Sequence, residues 1–343
     1  MRNKKKPSWK KTLLVILTTV LSLVFVALLA VTLYMEWVMS RVYHDDTQES
    51  TMSAEQVEAL LQEDQNQTKP ENLTEVQPEE VDWGEVDKQP ATDHLFHILL
   101  VGQDRRPGEL RARSDTMILV TINTEDYSIT TTSFLRDIYV QIPGMVSNRL
   151  NVPYAVGGFR MLADTMELNF GIRPDRYVEV DFSGFEKIID TVGGVDIELT
   201  AAEVAYFNSK FGFGATQGVN HLSGEEALTY ARCRSVEGDG DFSRTRRQRM
   251  VVSAVFAKAK TLNLTQINQM VLAMTDVLTT NLTAAEIMAY VVRFYPMLDK
   301  LEPPKEVCIP ADGAYYLGWV DGIGSVIIPD LQKNSAIVAQ ICQ

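Results

Sequence analysis

The stretch GQDRRPGELRARSDT, Gly102–Thr116, sets four arginines and no lysine beside Asp104 and Asp115. From His94 to Met250 the chain carries fifteen arginines against two lysines, Lys187 and Lys210. Solubility alone does not demand such a skew, because both side chains carry the same charge. What separates them is geometry: a planar guanidinium pairs two oxygens at once, whereas an ammonium is a hydrated point charge. The pattern points to recognition of phosphate or carboxylate. Aspartates inside such a site would repel the anion unless a divalent cation lay between them. Mg²⁺ does this, commonly taking one or two carboxylates together with phosphate oxygens and water, with Mn²⁺ as its substitute. Direct pairing of each aspartate with a neighbouring arginine is the plainer alternative.

The other arginines also have telling positions. Arg105, Arg106, Arg111 and Arg113 follow the apolar run LFHILLV, and Arg136 follows ITTTSF. Arg232 and Arg234 end LSGEEALTYARCR, in which Ser223 and Glu226 have capping-box spacing. Ends of strands are where α/β sheets place ligands. In DFSRTRRQR, Asp241, Arg244 and Gln248 lie three and four residues apart and share one helical face. Arg232 and Arg234 pose a geometric problem, since residues two apart on a helix diverge by about 200°. Both reach one ligand only if the helix has ended by Cys233. Other chemistries lack their signatures: there is no GxxxxGK[ST] loop, G-x-S-x-G elbow or dinucleotide fingerprint. The histidines and the three cysteines show no metal-ligand spacing. For Cys308 and Cys342 both a disulfide and buried free thiols stay open.

The elements that must position these residues alternate. Strands are expected at Leu95–Val101, Met117–Ile122, Ile129–Phe134, Tyr177–Val180 and Val195–Leu199. Helices are expected at Phe159–Leu168, Phe182–Val192, from Ser223, from Asp241 to about Leu262, and at Ala284–Leu298. A hairpin or edge strands, then a last helix near Leu331–Ile341, close the chain. The pattern implies a three-layer α/β/α sandwich around a central mixed β-sheet.

Upstream, basic MRNKKKPSWKK precedes an uncharged run, Thr12–Met35, long enough to cross a bilayer. The expectation is a cytoplasmic basic tail (1–11), one transmembrane helix (12–35), an acidic extracytoplasmic linker (36–93) and an extracytoplasmic catalytic domain (94–343). Residues 44–93 carry fifteen acidic residues against two lysines, so the chain's formal net charge of −13 says little about the active surface. Within the linker, Met52–Leu61 has the pattern of a short helix. A domain outside the cell excludes nucleic acid as a partner.

In order along the chain, LLVGQDRR, RSDTMILVTIN, SFLRDIYVQIPG, RLNVPYAVGG, VEVDFSGFEKIIDTVGGVDIEL, LSGEEALTYARCRS, GDFSRTRRQ and IIPDLQKN resemble the LytR-CpsA-Psr family of bacterial envelope enzymes. The resemblance implies a Mg²⁺-dependent phosphotransferase that moves a glycopolymer, such as teichoic acid or capsule, from a polyprenyl-pyrophosphate carrier in the membrane to peptidoglycan. By motif, the metal carboxylates fall on Asp104 and Asp115. The phosphate-binding arginines fall on Arg113, Arg136, Arg232 and Arg234, with Asp241 and Gln248 completing the polar shell. Asp104 or Asp241 is the candidate base, and an apolar channel near Met250–Phe256 is the candidate lipid site. One departure is visible: Leu135 stands where the family usually has proline. A hydrolase of the same pyrophosphate and a non-catalytic regulator that binds anionic polymer or lipid are the rival readings.

Overall fold

In the computed structural model, the described residues are 51–65, 67–103, 111–236, 238, 240–275 and 277–342, with parts of 26–44. The long strands grow from apolar runs bounded by polar turns. β3 (Leu95–Gln103) and β4 (Ser114–Asn123) form an antiparallel pair, and β5 (Ile129–Phe134) continues antiparallel to β4. β8 (Arg176–Val180) lies parallel to β3, and β12 (Lys305–Ile309) parallel to β5. With β11 (Leu278–Thr280) and β1 (Tyr43–His44), the seven-stranded order is β1-β11-β8-β3-β4-β5-β12. The sheet is therefore mixed.

Side chains alternate across a strand with a period of two. Leu99, Val101, Met117 and Leu119 point into one buried cluster with helix α2 (Val152–Phe170) and helix α9 (Leu331–Ile341). On the other face, Val120, Ile122 and Ile129 pack with Phe256, Phe294 and Met297. That face carries α3 (Phe182–Thr191), α5 (Gly224–Arg232), α6 (Asp241–Ala259), α7 (Leu264–Met274) and α8 (Ala284–Phe294). The result is the three-layer arrangement.

Helix α2 starts seven residues earlier than its apolar spacing suggests, because Val152–Val156 is helical and a kink at Gly157–Gly158 hides the continuity. Gly158 has φ +64°, and a Cβ there would sit 2.8 Å from Arg111 Cζ. Only glycine leaves room for that guanidinium. Helix α4 (Ala201–Phe211) has no counterpart in the expected elements, although Thr200 and Glu203 form a full capping box at its start.

The segment before residue 94 carries structure of its own. Helix α1 (Ala54–Gln65) overlaps the pattern at Met52–Leu61. β2 (Thr74–Glu75) runs parallel to Gly318–Trp319 of β13 (Tyr315–Val320), which forms an antiparallel hairpin with β14 (Gly324–Pro329). All three cysteines are free thiols.

The expected transmembrane helix is corrected. Among the described residues no helix is long and apolar enough to cross a membrane. Ser40 Oγ bonds the Trp37 carbonyl at 2.8 Å in a turn. Most of the expected span, with the basic tail before it, lies outside the described residues.

Candidate active site

Antiparallel pairing sets Gly102, near the end of β3, opposite Thr116 near the start of β4, so Asp115 lies at the same edge of the sheet as the arginine-rich loop. The end of β5 is adjacent, and Arg136 just beyond it donates from Nη1 to Asp115 Oδ1 at 2.6 Å. Its Nε lies 3.4 Å from Asp137 and 3.9 Å from Asp241. Leu135, at the position where proline was expected, donates its N–H to the Ile309 carbonyl at 2.9 Å. Proline could not make that bond, so here the end of β12 holds the turn.

Asp241 opens α6 and gathers the other guanidinium groups. Arg244 Nη2 donates to its carboxylate at 2.9 Å, and Arg234 Nε lies 3.5 Å away. Arg244 also donates to the Asp115 carbonyl at 3.1 Å, tying α6 to β4. Burial lifts the Asp241 carboxyl from its ordinary value to about 6; Arg136 and Arg234 pull it down, while Asp137 and Asp115 push it up. Burial opposes the charge of Arg136, but Asp137, Asp115 and Asp241 more than offset this and hold its pKa above the ordinary value. Carboxylates and guanidiniums thus alternate through the cluster.

Helix α5 ends at Arg232, and Cys233 is extended with φ −70° and ψ 133°. The two arginines are thereby freed from helical divergence, and both line one polar cavity of about 500 Å³ with Asp115, Arg244 and Gln248. The Arg232 guanidinium rests 4.1 Å from the centroid of the Phe182 ring, a cation–π seat. Arg247 Nη1 donates to the Cys233 carbonyl at 3.2 Å and is itself paired with Glu203 at 3.0 Å. The Gln248 amide oxygen is buried with no hydrogen-bond partner among the described residues.

An apolar cavity of about 390 Å³ lies between the sheet and α6, lined by Leu100, Ile118, Val178, Val252, Val255 and Phe256 among others. It shares Asp115, Thr116, Phe182, Arg232 and Gln248 with the polar cavity. The two therefore adjoin, with the Arg232 and Gln248 side chains lining both.

Arg136, Arg232, Arg234, Arg244, Asp115, Asp241 and Gln248 are therefore brought together. Arg113 is turned elsewhere, with Nη2 donating to the Leu60 carbonyl of α1 at 2.7 Å. Arg111 is buried beside Gly158. Asp104, Arg105 and Arg106 lie outside the described residues. Among the described residues no group of three or more histidine, cysteine, aspartate or glutamate side chains could hold a metal ion. Three participants were not singled out from sequence. Asp137 follows Arg136 directly, Phe182 seats Arg232, and Gln103 accepts the Ala112 N–H at 2.7 Å, closing the arginine-rich loop. The Arg-Asp adjacency was a readable signal for the first; the other two depend on contacts distant in sequence or on loop closure.

The fold is that of an α/β protein with a mixed sheet, and the site sets alternating acids and guanidiniums at its strand ends beside an apolar cavity. Residues 50–318 match the model of the LytR_cpsA_psr family, and the chain belongs to that family. It is 35% identical over 239 residues to the polyisoprenyl-teichoic acid–peptidoglycan teichoic acid transferase TagU of Bacillus cereus, covering 69% of this chain and 75% of that protein. The protein of the same name from Halalkalibacterium halodurans is 38% identical over 166 residues, covering 48% of this chain and 53% of that protein. Among solved structures, TagT bound to LI-WTA superposes with a TM-score of 0.61 at 26% identity, covering 76% of this chain and 96% of that one. Bacillus subtilis TagU superposes with a TM-score of 0.54 at 25% identity, covering 73% and 98%.

Proposed function

We propose that this chain is a phosphotransferase of the cell envelope, moving a teichoic-acid-type glycopolymer from a polyprenyl-pyrophosphate carrier to peptidoglycan. The observation that carries the reading is the adjoining pair of cavities, one apolar and one polar, with shared lining residues. An apolar space of about 390 Å³ suits a prenyl chain, and the polar one of about 500 Å³ suits the diphosphate. Arg232, Arg234 and Arg244 bind the phosphate oxygens, with Arg136 neutralising charge at the Asp115 edge. Phosphoryl transfer asks a protein mainly to position its reactants and neutralise charge.

In the reaction, an acceptor sugar hydroxyl attacks the phosphorus that bears the glycopolymer. The new P–O bond forms as the P–O–P bridge breaks, and polyprenyl phosphate leaves with the bridging oxygen. Asp241 takes the hydroxyl proton, since a carboxyl near pH 6 lies closer to neutrality than an ordinary aspartate and makes the better base. Asp115 and Asp104 would hold Mg²⁺, an assignment that fits hard carboxylate donors and the unpartnered Gln248 oxygen nearby. When bound, the ion supplies charge neutralisation at the phosphates.

Purified protein incubated with lipid-linked donor, with and without peptidoglycan, tests the reading. Covalent transfer of polymer to peptidoglycan is the expected result. Polymer released as a free phosphate ester in both tubes, with none on peptidoglycan, would mean hydrolysis instead.

A further inference from the structure

A third cavity, of about 420 Å³, lies one ring pair from the cluster. Phe242, the residue after Asp241, stacks on Tyr315 with centroids 5.3 Å apart and 27° between the planes. Tyr315 also lines this cavity, together with Glu80, Asp82, Trp83, Tyr316 and Asp330. Its chemistry is the reverse of the arginine cavity. No basic side chain among the described residues lines it, and three carboxylates and three aromatic rings do.

The rings are held in place. Asp82 Oδ1 accepts the Gly84 N–H at 3.0 Å, closing the turn that presents Trp83, and Trp83 packs on Tyr139 with centroids 5.6 Å apart. Tyr316 is 51% exposed at the start of β13, a large apolar surface offered to solvent. Asp330 caps α9 and pairs with Lys333 at 2.7 Å. Glu80 and Asp82 keep oxygens open for further donors, since a carboxylate has about four acceptor positions.

Aromatic faces fixed beside carboxylate acceptors suit a sugar ring, which presents an apolar face of C–H bonds and a rim of hydroxyl and amide donors. The same carboxylates repel a phosphate-rich polymer. Charge therefore sorts the two substrates: anionic donor to the guanidinium side, neutral glycan to the acidic side. We infer that this cleft binds the acceptor glycan strand, aligning its sugar hydroxyl with the cluster across the Phe242–Tyr315 pair. The inference rests on the transferase reading above and adds to it where the acceptor sits.

The test titrates the full chain by calorimetry with a soluble tetrasaccharide of alternating β-1,4-linked N-acetylglucosamine and N-acetylmuramic acid, free of stem peptide and with its lactyl carboxyls amidated so that the glycan is uncharged. Tyr316→Ala should weaken binding and raise the acceptor KM about tenfold, equal to about 1.4 kcal/mol. Cleavage of lipid-linked donor by water, measured without acceptor, should stay at the wild-type rate. Glu80→Gln, on an exposed side chain, should give a smaller loss in the same direction and serves as the readout should Tyr316→Ala unfold. Wild-type affinity in both variants, no binding by wild type, or tighter binding of teichoic polymer than of tetrasaccharide in this cleft would each overturn the inference. Glycan binding that depends on Tyr316 in a protein inactive on donor would support the cleft and sink the transferase reading alone. Donor cleavage with Tyr316-independent glycan binding would do the opposite.

Discussion

Replacing Glu203 by glutamine tests whether a buried ion pair supports the arginine cavity from beneath. Arg247 is fully buried and Glu203 nearly so, with Nε and Oε1 3.0 Å apart. Glu203 also accepts from the Thr200 N–H at 2.9 Å as part of the α4 capping box. Glutamine can keep that cap, so the substitution isolates the charge. Removing one partner of a buried pair costs about 3–5 kcal/mol, and about 3 kcal/mol is the floor here, because the glutamine's one oxygen stays with the cap and turns its NH2 towards Arg247. At roughly 2–4 °C per kcal/mol for a domain of this size, the melting temperature should fall by about 6–12 °C. There is a local effect as well. Arg247 donates to the Cys233 carbonyl, and Cys233 stands between Arg232 and Arg234. The KM for lipid-linked donor should therefore rise more than kcat falls. Glu203→Leu combined with Arg247→Met should recover most of the lost stability, because an apolar pair removes the stranded charge, yet leave KM high. Thermal melts and donor kinetics on all three variants read this out. A melting temperature within about 2 °C of wild type for Glu203→Gln, with KM unchanged, would refute the argument.

Asp241→Asn should behave differently at two pH values. The folded carboxyl titrates near 6 against an ordinary 3.8, so its favourable contribution is present below about pH 4 and is lost as pH rises through 6; the shift corresponds to about 3 kcal/mol. The asparagine variant should match wild type in melts at pH 4, exceed it at pH 7.5 and lose transfer activity. Equal stability at both pH values would contradict the buried-carboxylate account. Gly158→Ala, which needs a positive φ and sets a methyl 2.8 Å from Arg111 Cζ, should destabilise the fold by about 1–3 kcal/mol in denaturant titrations. Val255→Trp should fill part of the apolar cavity, raising KM about tenfold for long-chain lipid donors while sparing a short-chain analogue; equal effects on both would detach that cavity from the lipid.

Short-range signals in the sequence were faithful. The runs at Leu95–Val101, Met117–Ile122 and Ile129–Phe134 all fall inside observed strands, and the Ser223–Glu226 box starts α5. The last helix spans Leu331–Ile341. Choosing among the fifteen arginines was harder, because their partners are distant in sequence. Arg149 bonds the carbonyls of Ile323 and Ser325, Arg176 pairs with Glu286, and Arg249 with Glu306. These are fold-stabilising guanidiniums, and no local pattern separates them from Arg232 or Arg244. The same limit hid Arg113, whose partner Leu60 lies in a segment that composition marks as a linker. Composition describes what a stretch would do alone and is silent on a docking surface made elsewhere in the chain.

That docking has a practical consequence. Met52 N–H donates to the Val156 carbonyl, Leu60 receives Arg113, and Thr74–Glu75 adds an edge to the hairpin. A version trimmed to begin at residue 94 would strip three seams at once and remove Trp83 from its place against Tyr139. These seams are kept only in a chain that starts before Met52, and shortening beyond it should show first as protease sensitivity around Arg113 and the hairpin.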